Sequence, residues 1–422
     1  MREKKDSGVD WCHTIPDNWS IIPSKYLFRD SNVRRLDGDI QLTASQKYGI
    51  ISQVDYMERE QAAIVLANKG LESWKHVEPL DFIISLRSFQ GGLEMSEVKG
   101  CITWHYVVLK ATQAIHHAYY KWLFKSAQYI TALQRTCNFI RDGQDLRYSN
   151  FAKVPLPYPP VEEQKTIANF LDNKCAEIDA LMEDIRAEIS TLEEYKKSVI
   201  TEAVTKGLNP DAEMKDGGVA WVGECPGHWE QHPVYYYFSE RKAPNVLLAE
   251  TNLLSLSYGK IKRKDINTNG GLLPASFNTY NIIEDGDIII RPTDLHNDKR
   301  SLRTALSTEH GIITSAYIAL RPKLGVNSAY FHYLLHAYDV QKVFYNMGNG
   351  VRQGLNYSEF SKLMLLAPPV EEQQDIVSFL DAKSDEIEST IAKKREQQIA
   401  LTEYKKSLIY EYVTGKKEVP TL

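Results

Sequence analysis

The chain says nearly the same thing twice, and an internal repeat of this length decides architecture before any site chemistry is considered. Residues 159–206 begin Pro159-Pro160-Val161-Glu162-Glu163-Gln164, and residues 368–415 begin Pro368-Pro369-Val370-Glu371-Glu372-Gln373. Aligned without a gap at an offset of 209, 24 of the 48 positions are identical. Gly8-Val9-Asp10-Trp11 with Pro16 and Trp19 returns as Gly218-Val219-Ala220-Trp221 with Pro226 and Trp229, at an offset of 210. Leu146-Arg147-Tyr148-Ser149-Asn150-Phe151 returns as Leu355-Asn356-Tyr357-Ser358-Glu359-Phe360. Between these anchors the halves diverge, leaving only echoes such as Asp81-Phe82-Ile83-Ile84 against Asp287-Ile288-Ile289-Ile290. Each half is a variable block followed by a near-constant one, and the molecule reads as a pseudo-dimer on one chain.

The constant blocks read as long helices. Leu171, Ile178, Ile185, Leu192 and Val199 fall seven residues apart, and Leu380, Ile387, Lys394, Leu401 and Leu408 occupy the same places in the second copy. A seven-residue apolar repeat is the mark of a coiled-coil seam. Lys394 breaks it, either near an end or with its charge led out to water. Neither Gly nor Pro interrupts the stretch from Val161 to Lys206. Glu162 and Glu163 suit the positive end of the helix dipole, and Gly207 and Gly415 are natural stops. Two such stripes on one chain can cover each other, and the intervening block is long enough for an antiparallel pair. The plain alternative is a hairpin that merely joins two domains.

Net charge is −5, and its distribution matters more than its sign. Residues 159–206 carry 11 acids and 6 bases, and residues 368–415 carry 10 and 6, so the remainder of the chain is net +4. Acidic helices beside mildly basic variable blocks have the right sense for nucleic-acid contact by the blocks, although +4 is a weak signal. No apolar run approaches the ~18 residues of a membrane span. The first residues lack the apolar stretch of a signal peptide, so the cytoplasm is the default location. Five cysteines (Cys12, Cys101, Cys137, Cys175 and Cys225) are scattered without a CxxC pair, unlike a zinc site or a disulfide framework.

The variable blocks, 12–158 and 222–367, read as mixed α/β. Strand-like runs cover 81–86, 102–109, 282–290 and 312–320, and aromatic-rich helical stretches cover 119–133 and 330–345. A loop follows the isoleucine-rich strand in each: Arg87, Ser88 and Gln90 before Gly91-Gly92 in the first, and Arg291, Asn297, Lys299 and Arg303 in the second. Arg can bond guanine bidentately, and Gln or Asn can do so with adenine. Arg141 and Arg147 lead back to the first helix, and Arg352 and Gln353 to the second, where a Gly-containing segment suits phosphate contact. Lys260 and Lys262 lie in the densest basic run. For each of these residues a solvated polar surface is the competing reading. His116-His117, among Tyr119, Tyr120 and Trp122, fits a packed helix face better than a metal site. No P-loop, HExxH, GxSxG or kinase-type set occurs, so the chain reads as non-catalytic.

Taken together, the Gly-Val-x-Trp…Pro…Trp openings, the two Pro-Pro-Val-Glu-Glu-Gln segments, the Phe-Leu-Asp and Glu-Tyr-Lys-Lys-Ser signatures, and Gly350-Val351-Arg352-Gln353-Gly354-Leu355 resemble the specificity subunits of type I restriction–modification systems. The resemblance covers the whole length. It implies an α+β fold with two mixed α/β target recognition domains (1–158 and 208–367). A central long helix (159–207) and a C-terminal one (368–422) would join them as an antiparallel coiled coil with pseudo-two-fold symmetry. It further implies that each recognition domain reads one half of a bipartite, asymmetric target in double-stranded DNA. The coiled coil would set the spacing and dock two methyltransferase subunits, and two restriction/translocase subunits would complete the complex. No cofactor is expected in this chain; S-adenosylmethionine, ATP and Mg would sit on the partners. Unlike heads suit an asymmetric target, and like helices suit two identical partners. A non-DNA adaptor presenting two protein-binding heads is the alternative, and a catalyst with an unrecognised site is a third. Arg147 departs from the pattern, since Asp145-Leu146 stands where the second copy has Gly354-Leu355.

Overall fold

The structure, a computed structural model, describes all residues except 1, 62–65, 68, 86–87, 138–145, 220, 267–273, 275, 294, 296–301, 348–353 and 421–422. It divides into two compact units, Met1–Ile185 with Arg395–Leu422, and Arg186–Lys394. The division falls inside both long helices. Each unit holds one variable block, the first half of the helix that follows it and the last half of the other. Compactness therefore groups the chain differently from the order of segments along the sequence.

In the first unit a four-stranded antiparallel sheet comprises β1 (Phe28–Asp30), β2 (Phe82–Ile84), β3 (Glu94–Met95) and β4 (Val107–Ala111) in the order β1-β4-β2-β3. Helices α1 (His117–Lys125) and α2 (Ala127–Arg135) follow, and then the long α3 (Val161–Lys206). The second unit repeats the sheet with β5 (Phe238–Glu240), β6 (Ile288–Ile290), β7 (Thr304–Leu306) and β8 (Ile318–Pro322), ordered β5-β8-β6-β7. Helix α4 (Ser328–Val340) and the long α5 (Val370–Val413) complete it.

The isoleucine runs are explained by burial on both faces of the sheet. Phe82 and Ile84 point into the large core with the helices, while Ile83 points into a smaller one with Leu42, Ile50, Val77, Ile102 and Val108. Ile288 and Ile290 make the same division with Ile289. Each of three longer strand-like runs read from the sequence is in fact two strands in different sheets. Gly100–Ile102, Asn281–Ile283 and Gly311–Ile313 pair outside the four-stranded sheets, and a turn separates each from the strand that follows. The helical stretch 119–133 is also two helices, because Ser126 is extended at φ −70° and ψ 136°.

Each large core runs without a break from head to coil. In the first unit Ile167, Ala168, Leu171, Cys175 and Ile178 of α3 share a cluster with Leu408, Ile409, Tyr412 and Val413 of α5 and with Trp11, Trp19, Tyr119 and Phe151 of the head. In the second, Ile200, Ala203 and Val204 join Ile376, Val377 and Leu380 around Trp229, Tyr330 and Phe360. The helix segments are antiparallel within each unit. Phe170 stacks near Tyr412 with ring centroids 4.5 Å apart, and Lys405 Nζ meets Asp179 at 2.6 Å. Lys196 meets Glu388 at 2.5 Å in the other unit. These two ion pairs are the same pair in the two copies, both members being displaced by 209 residues.

Of the expected seam, Leu171, Ile178, Ile185, Leu380, Ile387 and Leu408 are buried, while Leu192, Val199 and Leu401 are half-buried. Lys394 lies well inside its helix and pairs with Glu188, so its charge is led outward. A second row interleaves with the first: Cys175, Met182 and Ile189 on α3, and Ser384, Ile391, Gln398 and Lys405 on α5. Its polar members in the second copy hid it from a search for apolar periodicity.

Both helices end on positive-φ glycines beside a tryptophan. A Cβ on Gly415 (φ +67°) would lie 2.4 Å from the Pro16 ring and 3.0 Å from Trp19. On Gly207 (φ +74°) it would lie 3.1 Å from Glu372 Oε1 and 3.3 Å from Trp229.

Replacing Ile178 or Ile387 by Asp buries an unpaired charge in the seam. It should cost at least about 3 kcal/mol, read as loss of the folded fraction in denaturant titration. A soluble, fully active assembly carrying either change would contradict the seam.

Two histidines of α4 give a pH dependence. Burial pulls His332 down to about 4 and His336 to about 3, the latter helped by His332 and by Lys196, Lys197 and Lys342. His332 Nε2 has no hydrogen-bond partner among the described residues. The folded chain keeps both rings neutral, whereas the unfolded chain protonates them near pH ~6.5. Stability of the second unit should therefore fall as pH drops from about 6.5 towards 4, by up to ~1.4 kcal/mol per pH unit for each ring. Denaturation midpoints across this range check it, and His332→Gln should flatten the slope.

Candidate nucleic-acid interface

The joints between each head and its helix fix where any loop can reach. Trp19 Nε1 donates to Glu163 Oε2 at 3.0 Å, and Trp229 Nε1 donates to Glu372 Oε1 at 3.0 Å. Arg2 also pairs with Glu163, and His228 pairs with Glu372 at 2.7 Å. Gln164 Nε2 donates to the Pro159 carbonyl at 2.9 Å, and Gln373 Nε2 to that of Pro368 at 2.8 Å. The repeated Pro-Pro-Val-Glu-Glu-Gln segment is thus a socket: its second Glu takes a tryptophan N–H from the head, and its Gln ties the helix start to the preceding prolines. On the next turns of the helices, Trp122 donates to Asp172 at 2.8 Å and Tyr333 to Asp381 at 2.6 Å.

The sequence candidates divide three ways. Arg87, Arg141, Asn297, Lys299, Arg352 and Gln353 lie outside the described residues. Gln90, Arg147, Lys260 and Lys262 are exposed, and Arg291 is half-buried. Ser88 and Arg303 are buried, and the expectation that they touch DNA is corrected. Ser88 is 1% exposed and its Oγ accepts the Ser85 N–H at 2.8 Å. Arg303 is 0% exposed. Its Nε donates to Tyr345 Oη at 3.0 Å, its guanidinium donates to the Thr293 carbonyl, and its backbone N–H donates to Asp339. A positive loop residue reads as an outward contact from sequence; here Tyr345 Oη, itself bonded to Asp339 of α4, and the Thr293 carbonyl hold the side chain inward.

In the second head the structure brings three nominated stretches together. Arg291 N–H donates to the Arg303 carbonyl at 2.8 Å, extending the β6–β7 ladder. Leu355 N–H donates to the Pro292 carbonyl at 3.0 Å, which joins the loop to the segment before α5. The hairpin of Leu254–Ser257 and Lys260–Arg263 turns at Gly259, where a Cβ would lie 3.1 Å from Leu302. Lys260 Nζ is 3.0 Å from Glu388 and Arg263 Nε is 2.6 Å from Glu309, so part of the basic run is already neutralised.

The hairpin tips carry aromatic residues that sequence reasoning missed. Tyr258 is 80% exposed at the tip of that hairpin, and Tyr48 occupies the tip of the matching hairpin of Leu42–Ser45 and Gly49–Ser52 in the first head, with Lys47 Nζ 4.7 Å above its ring. The signal was present: Tyr48-Gly49 and Tyr258-Gly259 are 210 residues apart. The buried Asp of the Asp-Ile-Ile echo was likewise only half-read. Asp81 pairs with Lys110 at 2.9 Å, and Arg241 Nη2 donates to Asp287 at 3.0 Å. Among the described residues no cluster of His, Cys, Asp and Glu is arranged to hold a metal ion, and no helix is long and apolar enough to cross a membrane.

Comparisons with known proteins bear on this arrangement. The family described as the type I restriction modification DNA specificity domain matches residues 34–191 and 260–400. A putative type I restriction enzyme MjaX specificity subunit of Methanocaldococcus jannaschii is 28% identical over 274 residues, or 64% of this chain and 60% of that protein. The MjaVIII specificity subunit of the same organism is 28% identical over 153 residues, 33% of each chain. The alignments thus span at most three-fifths of these relatives. Among solved structures, one from work on complex assembly and conformational transition of the type I R-M system superposes with a TM-score of 0.61 at 15% identity, covering 96% of this chain and 99% of that one. The HsdS subunit from Thermoanaerobacter tengcongensis superposes at 0.51 and 14% identity, covering 96% and 98%. These likenesses establish the fold, and the family match covers well over half of the sequence. The chain belongs to the type I restriction–modification DNA specificity family.

Proposed function

We propose that this chain is the DNA sequence-specificity subunit of a type I restriction–modification complex. In this reading each head recognises one half of a bipartite, asymmetric target in double-stranded DNA, and the helix pair sets the spacing between the halves. The carrying observation is a contrast within one chain. The sockets are repeated residue for residue, whereas the loops they aim are not. Equal sockets on equal helices suit two copies of one partner. Exposed apolar residues on the helices recur too: Tyr195 and Tyr404 are 48% and 54% exposed, and Val161 and Val370 are 38% and 63%. Two methyltransferase subunits are the partners this duplication suits, with two restriction/translocase subunits in the full complex. S-adenosylmethionine, ATP and Mg belong on those partners, and this chain serves recognition without catalysing.

Gln90, Arg291, Arg147, Lys260 and Lys262 are the described side chains offered to DNA, the first two to bases and the others to phosphates. The adaptor reading draws on the ion pairs that neutralise Lys260 and Arg263. Salt separates the two readings. DNA affinity that falls steeply with ionic strength supports recognition, and salt-insensitive or absent binding supports the adaptor. Arg291→Ala should weaken binding to one half-site by ~1–3 kcal/mol and leave the other unchanged. Unaltered affinity and base preference would remove Arg291 from the interface.

A further inference from the structure

Both heads hold a cation and a carboxylate beside the stretch that follows the central strand of the sheet, paired directly in the first head and joined through Tyr345 in the second. In the first head Lys125, at the end of α1, pairs with Glu94 of β3, with side chains 27% and 13% exposed. Lys125 Nζ also donates to the Gly91 carbonyl at 3.0 Å. The loop is pressed onto α1 at the next residue, since a Cβ on Gly92 (φ +79°) would lie 2.1 Å from the Phe124 carbonyl oxygen. In the second head the cation is Arg303, one residue before β7. Its guanidinium donates to the Thr293 carbonyl and to Tyr345 Oη, and Tyr345 Oη donates to Asp339 of α4 at 2.9 Å. Asp339 also takes the Arg303 backbone N–H, and both residues are 0% exposed.

The charges are reversed between the heads. In one the cation is on the helix and the anion on the edge strand; in the other the cation precedes the edge strand and the anion is on the helix. No residue-by-residue repeat links them, yet both end with a cationic N–H donor on a carbonyl of the same loop. A buried ion pair is a poor way to stabilise a core, because apolar residues of equal volume often do as well or better. What it supplies instead is direction, since a charged donor fixes a carbonyl in place more firmly than a neutral contact does.

We infer that Lys125 with Glu94, and Arg303 with Tyr345 and Asp339, are positioning groups that fix the Gly91 and Thr293 carbonyls and through them Gln90 and Arg291, so that each set governs sequence discrimination at one half of the DNA target. This rests on the recognition reading above. The side chains served are Gln90, next to the carbonyl held by Lys125, and Arg291, two residues before the one held by Arg303. A misplaced loop loses base discrimination before it loses phosphate affinity, because base-edge bonds demand tighter geometry.

The test uses the full-length chain with whatever subunits it carries from its host, and a pool of randomised DNA duplexes. Sequences enriched by the wild-type protein define the two halves. Competition with duplexes scrambled in one half then measures discrimination at each. Arg303→Met should lower discrimination about tenfold at one half only, and Lys125→Met should do so at the other half only. Tyr345→Phe, a gentler change in the same network, should give a smaller loss in the same half as Arg303→Met. Lys125→Arg keeps a donor in reach of Gly91 and Glu94 and should restore discrimination. A purely structural role predicts equal loss at both halves, in step with a lowered melting temperature, and that result overturns the inference. So do folded variants that discriminate as well as wild type. A wild-type protein that enriches no sequence would overturn the recognition reading and this inference with it.

Discussion

Burial of the stripe on each long helix is the constraint on which the rest of the structure depends. An amphipathic helix of this length cannot leave its apolar face in water. Within each unit that face is covered from two sides, by an antiparallel segment of the other long helix and by the head itself. Because one cluster contains Leu171, Leu408 and Trp19, and another Leu380, Ile200 and Trp229, each head and its share of the coil form a single core. A head therefore has no soft linker to its helices. The tryptophan–glutamate bonds and the sealed glycines at the helix ends complete the same junction with direction and close fit.

The polar residues of the helices divide by task. Lys196–Glu388 and Lys405–Asp179 repeat one ion pair, one copy in each unit. Exposed pairs of this kind stabilise little on their own, and their value lies in register. They match one helix level to one level of its partner, which the apolar row alone would allow to slip by a heptad. Lys394 with Glu188 does the same where the apolar row is interrupted. The acidic surplus of the helices stays on the outer surface, leaving the mildly basic heads as the places where a polyanion would meet least repulsion.

Much of this was legible in the sequence, and the parts that were not have physical reasons. The repeat located the helices, and glycine stops and heptads gave their ends and one seam row. The second row was hidden because its members in the second copy, Ser384, Gln398 and Lys405, are polar. Runs read as single strands proved to be two, since turns such as 284–287 sit inside apolar stretches that are buried on both faces. Glu163 reads only as a dipole partner from sequence, because a local segment cannot show that a tryptophan 144 residues away will arrive at it. Candidate base contacts were the least legible. Arg303 and Ser88 have the right chemistry and loop placement, and only the position of Tyr345, Thr293 and Ser85 in space turns them inward. The paired Tyr48 and Tyr258 tips were visible as a repeat but stood in blocks where little else aligned.

The proposed function makes two unlike heads on like helices specify a split DNA sequence. Mapping methylated bases across the host genome, with and without this gene, tests it most directly while an active methyltransferase partner is present. Deletion should abolish methylation at one motif made of two unlike halves separated by unread base pairs. An unchanged methylome, or loss at a single continuous site, would contradict it.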